Sequence, residues 1–158
     1  MAVYAAGSLR GALNDVALAF EKVYPAKVAM TYGASGLLKD RILGGEAPQI
    51  FASANMDHPQ AVVAAGKAVA VAPFARNALC VLATPAFSLQ GKALAQRLLD
   101  TDVRLATSTP KADPAGDYAF TMFERIESTG AAGAGSAAAL KAKALQLTGC
   151  LLYTSRCV

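Results

Sequence analysis

Short apolar runs alternate with amphipathic stretches along the first 66 residues, and small residues mark each switch between them. Residues 2–6 read as a buried strand, and residues 9–24 as a helix with Leu9, Leu13, Val16 and Phe20 at helical spacing. A second strand at 27–32 precedes a helix over 36–43, with Leu37, Ile42 and Leu43 inward and Gly44-Gly45 as its stop. A third strand at 49–54 and a third helix at 57–65 follow, closed by Gly66. Strands and helices in strict alternation imply an α/β fold with mostly parallel sheets flanked by helices on both faces.

From Val69 the rhythm changes. Two β-rich runs, 69–73 and 77–83, stand close together with Pro73 and Pro85 as punctuation, which places a lobe boundary near residue 75. A short helix at 93–99, a strand at 102–107, a Pro-containing loop at 109–115 and a helix at 117–127 restore the alternation. Residues 130–139 form an Ala/Gly-rich link, and 137–147 a further helix. The reading is therefore a first α/β lobe over 1–75, a second, incomplete lobe over 76–149, and a tail at 150–158 that continues neither and is expected to be an unrelated appendage.

Composition removes several classes of function. Of 158 residues, 54% are hydrophobic and only 16% charged, which excludes disorder. No apolar run reaches the roughly 18–20 residues of a membrane span, and the N-terminus lacks the pattern of a secretion signal, so any leader is absent from this chain. A net charge of +4 invites a nucleic-acid reading, but the fifteen Lys and Arg are scattered and not gathered into a stripe with aromatics. Cys80, Cys150 and Cys157 have no C-x-x-C spacing and give neither a metal site nor a disulfide framework. Cys80, in an apolar run, reads as a buried small hydrophobe.

The chemistry lies in the turns. Ala6-Gly7-Ser8-Leu9 and Gly33-Ala34-Ser35-Gly36 each follow a strand and open a helix, and Pro114-Ala115-Gly116 repeats the relation further on. A helix N-terminus leaves N–H groups without intrahelical partners and carries partial positive charge, so it receives anions. A serine there either caps the helix or donates its O–H to an oxyanion, and Pro-Ala-Gly on its own is also an ordinary turn into a helix. His58, beside Pro59, reads as an exposed first-turn residue, because no nucleophile or carboxylate is placed with it. Lys39 and Arg41 read as a solvated helix face. Gly33-Ala34-Ser35-Gly36-Leu37 fails the G-x-S-x-G pattern, and Gly130 to Gly135 lacks the Lys-Ser/Thr of a phosphate loop.

Four motifs taken in order carry a resemblance: Tyr4-Ala5-Ala6-Gly7-Ser8-Leu9 with Ala12-Leu13, then Tyr32-Gly33-Ala34-Ser35-Gly36, then Gln49-Ile50-Phe51-Ala52-Ser53-Ala54, then Asp113-Pro114-Ala115-Gly116-Asp117-Tyr118-Ala119. Over about residues 2–149 the chain resembles the periplasmic molybdate-binding proteins of ABC importers. The resemblance implies a type II solute-binding protein: a two-lobed, monomeric, periplasmic α/β clamp that captures molybdate or tungstate and delivers it to an ABC transporter permease, without catalysis, cofactor or bare metal cation. Carried over by motif, the oxyanion ligands fall on Ser8, Ser35 and the backbone amide of Ala115, with Gly116 beside it. The family chain is longer, and its remaining contacts, a backbone amide and a tyrosine hydroxyl, have no counterpart here; Tyr153 is not assigned that role. Ala54-Asn55 also stands where an acidic residue is common in the family.

An anion held by hydroxyls and amides alone needs each oxygen met by donors already aimed at it, since it gives up its hydration on binding. Such donors favour a fully deprotonated ion. Two other functions stand beside this one: a serine hydrolase using Ser35 and His58, and a binding protein for sulfate or another small anion.

Overall fold

The computed structural model describes residues 1–147. Three strands, β1 (Ala2–Ala6), β2 (Ala29–Gly33) and β3 (Ile50–Ala52), form a parallel sheet in the order β2-β1-β3. A 3-10 turn (Gly7–Leu9) and α1 (Arg10–Val23) connect β1 to β2, α2 (Ser35–Leu43) connects β2 to β3, and α3 (Asp57–Ala64) follows. Parallel neighbours require such crossover connections, which is why the apolar runs and amphipathic stretches alternate. Val3, Ala5, Ala6, Leu38, Ile42, Ala52 and Val62 are buried here. The small residues of β1 let α2 lie close against it.

The second half builds α4 (Leu94–Arg97), β4 (Ala106–Ser108), α5 (Pro114–Ser128), α6 (Ser136–Lys143) and β5 (Leu145–Leu147), with β4 and β5 parallel. Its core is Leu98, Val103, Ala119, Phe123, Leu140 and Ala144. Phe123 and Leu140 are fully enclosed where α5 packs on α6, each contributing about 1.5–3 kcal/mol by leaving water. Arg97 is also buried. It meets Asp102 through two hydrogen bonds of 2.7 Å and donates to the Ser88 carbonyl at 2.8 Å, so α4 and the irregular chain on either side are tied by one side chain.

Several expectations give way. Residues 69–73 and 77–83 are irregular and exposed, with Val69 at 102% and Leu82 at 79% relative exposure, because an apolar run becomes a strand only where a neighbouring edge supplies its hydrogen bonds. The last turn expected of the 137–147 helix is instead β5, since the Leu145 amide is taken by Leu105 and the chain then pairs with β4. Val16, Leu37 and Leu43 are exposed where an inward face was expected, and α1 buries no residue fully. Cys80 is exposed and disulfide-bonded, not a buried hydrophobe outside any disulfide. The Lys39 side chain, 23% exposed and paired with Asp40, is largely covered. The tail at 150–158 lies outside the described residues.

Candidate functional site

Ala6 at the end of β1 pairs with Gly33 at the end of β2, so Ser8 and Ser35 each stand two residues beyond one aligned pair. Adjacent strands run about 4.8 Å apart, and the two serine turns therefore leave the sheet side by side. Ala52, the last residue of β3, pairs with Ala5 and sends 53–55 out at the same end. This is the carboxyl end of a parallel sheet, the edge at which open α/β folds take ligands.

Ser8 is exposed and lines a cavity of about 800 Å³ together with Ser53, Ala54, Asn55, Asn77 and Tyr118. Ser35 is 1% exposed and lies off that lining, but its Oγ accepts the Ala54 amide at 3.1 Å, which joins it to the cavity wall. Neither serine caps its helix. Ala34 holds the cap position of α2 and Leu9 that of α1, without a side-chain cap bond at either. The Ala54 carbonyl accepts from the Tyr118 hydroxyl at 3.2 Å and from Asn77 Nδ2 at 3.1 Å. Asn55 Oδ1 accepts the His58 amide, in the first turn of α3, at 3.3 Å.

The second half reaches this place through its loop. The Gly36 amide donates to the Ala112 carbonyl at 3.0 Å, and a Cβ on Gly36 would fall 2.3 Å from the Lys111 oxygen. Only glycine permits that approach, which sets the beginning of α2 against the turn that opens α5. A Cβ on Gly116 would likewise meet the Ser108 oxygen at 2.4 Å. Ala115 and Gly116 lie off the cavity lining, and their amides are engaged: Ala115 donates to Asp113 Oδ1 at 3.0 Å and Gly116 to the Asp113 carbonyl at 2.9 Å. Here the turn is a capped helix start, with Asp113 as the cap.

His58 is half-buried, not exposed, and its Nε2 is buried without a partner. Burial is the main cause that lowers its pKa, with Lys39 adding to it, while Asp117, Asp57 and Asp40 oppose. No hydrogen bond joins His58 Nε2 to Ser35 Oγ, which accepts the Ala54 amide. Among the described residues no three His, Cys, Asp or Glu side chains gather to hold a metal ion.

A family model described as bacterial extracellular solute-binding protein matches residues 1–154. The chain belongs to that family. This solute-binding protein is 36% identical over 150 residues to the uncharacterized protein PM1146 of Pasteurella multocida, which covers 94% of this chain and 61% of that protein. It thus spans less than two thirds of its curated relative. A solved structure, the periplasmic molybdate-binding protein of Azotobacter vinelandii, aligns with a TM-score of 0.57 over 93% of this chain and 62% of the other, at 18% identity. That likeness is one of fold. The α/β architecture, with parallel sheets flanked by helices, is that of periplasmic binding proteins.

The motif reading singled out Ser8, Ser35, Ala115 and Gly116; it overlooked Asp113 and Tyr118 as site-forming side chains, although both sit in the fourth motif. An aspartate directly before proline at a helix start is a cap signal, and it was legible.

Proposed function

We propose that this solute-binding protein captures a small tetrahedral oxyanion, molybdate or tungstate, outside the cytoplasm and presents it to an ABC transporter permease, without catalysing a reaction. Family membership supports capture of a solute. The single observation that carries the choice of an oxyanion is the level pairing of Ala6 with Gly33, which sends two serine turns and two helix beginnings out from one sheet edge. Hydroxyls and helix N-terminal amides there offer donors and favourable potential without a cationic side chain. In this reading residues 1–75 and 76–149 act as two lobes, Ser8 and Ser35 contact the ion from the first, and the Ala115–Gly116 turn from the second. The binding of molybdate stated for the Azotobacter neighbour agrees with that assignment.

Isothermal titration with molybdate, tungstate and sulfate tests it. Molybdate and tungstate should release heat with one-to-one stoichiometry, and Ser35→Ala should weaken both about 10- to 100-fold, as expected for a lost hydrogen bond to a charged group. No heat with any of the three ions would remove the reading. Sulfate binding alone would redirect it to another small anion.

A further inference from the structure

The α5 amide that an oxyanion would use is held by a carboxylate. Asp113 is 3% exposed, its Oδ1 accepts the Ala115 amide at 3.0 Å, and its Oδ2 is buried without a partner. The same loop meets the beginning of α2 through the Gly36–Ala112 hydrogen bond, so Asp113 directly follows the residue that touches the Ser35 turn while its Oδ1 holds the Ala115 turn. A dianion beside an ionised carboxylate in a dry site is repelled, because little solvent lies between them to screen the charges. One proton between them turns that repulsion into an O–H···O hydrogen bond and gives the orphaned Oδ2 its partner.

Resting on the oxyanion reading above, we infer that Asp113 couples capture to a proton: the bound state holds one proton between Asp113 Oδ2 and an oxygen of the ion. The balance is simple. A fully deprotonated dianion with ionised Asp113 takes one proton from solvent, whereas an oxyanion already carrying a proton brings it along; both routes reach the same complex, and only O–H bonds change. Asp113 thereby sets which protonation class of oxyanion is preferred at a given pH.

The surroundings of Asp113 are consistent with this. Burial, the largest influence, raises its pKa; the Ala115 amide and the Ser108 hydroxyl lower it, Asp117 on α5 raises it, and His58 on α3 lowers it. Lys39 and Asp40 on α2, and Asp57 on α3, act on His58 in turn. His58 is therefore the other group able to hold a proton here, and the experiment must separate the two.

The test is titration of the chain with sodium molybdate from about pH 5 to about pH 8, in paired buffers of different ionisation enthalpy, repeated with phosphate. Molybdate should take up about one proton per ion bound, its affinity falling about tenfold per pH unit above the Asp113 pKa. Phosphate, which carries one or two protons of its own across this range, should bind with smaller uptake there. Asp113→Asn, which keeps a helix cap, should bind molybdate without uptake and with a flat pH profile, while His58→Gln should keep the wild-type slope. Molybdate binding with no proton uptake in the wild-type chain overturns the inference and leaves the capture reading standing. Uptake that survives Asp113→Asn and vanishes in His58→Gln overturns it as well. Absence of binding by both ions overturns capture itself, and this inference with it.

Discussion

Two glycines hold backbone against backbone where α2 and α5 begin. Gly36→Ala would drive a Cβ into the Lys111 and Ala112 oxygens, and Gly116→Ala into Ser108 and Pro110. Neither obstacle is the end of a flexible side chain, so each variant should lose about 1–3 kcal/mol or more, read as a lower urea midpoint at unchanged slope. Asp113 makes a second prediction. Its folded pKa lies above its unfolded value, so its contribution is most favourable below about pH 4 and is lost as pH rises through the raised value. Asp113→Asn should remove that decline, and its thermal midpoint relative to wild type should rise between about pH 4 and neutrality. At this scale the serines were legible, because Gly-Ser between an apolar run and an amphipathic one announces a helix start. Asp113 was not read as more than its motif, since whether a cap oxygen is solvated or enclosed depends on tertiary packing around the loop, which a local run of residues does not display.

Helices differ here in what they bury. Leu38 on α2 is 2% exposed, whereas Leu18 and Val16 on α1 are each 60% exposed. Leu38→Ala should cost about 2–5 kcal/mol, and Leu18→Ala under about 0.5 kcal/mol, in parallel denaturant unfolding. Around α4, Asp100 and Asp102 are held below the ordinary carboxylate range, Asp100 first by Lys92 and then Arg97, Asp102 first by Arg97. Their stabilisation is present above about pH 4 and lost as pH falls through the depressed values. Arg97→Leu should therefore lower the thermal midpoint at neutral pH and flatten its fall in acid. Periodicity located nearly every element from 2 to 64 but missed 69–83, whose residues carry strand propensity without a strand to pair with. It also missed β5, whose short Leu-Gln-Leu run reads equally well as the end of a helix.

At the scale of the molecule, polar links tie the two halves together among the described residues. The Tyr118 hydroxyl on the Ala54 carbonyl, Asn77 on the same oxygen and the Gly36–Ala112 bond join the first half to the second. Tyr118→Phe should raise amide exchange at 53–55 and α5 about 3- to 10-fold, while the Leu98–Phe123–Leu140 core keeps its protection. Equal acceleration in both places would mean that the halves unfold as one unit.

The alignment of Ala6 with Gly33 acts as a ruler for chemistry as well as for pairing. Lengthening either serine turn by a single residue would leave the ladder of β1 and β2 intact while carrying one hydroxyl off the common edge. On the oxyanion reading, a lineage altered in that way would keep its architecture and lose its cargo, so loop length in these two places should separate carriers from non-carriers among proteins of otherwise equal shape.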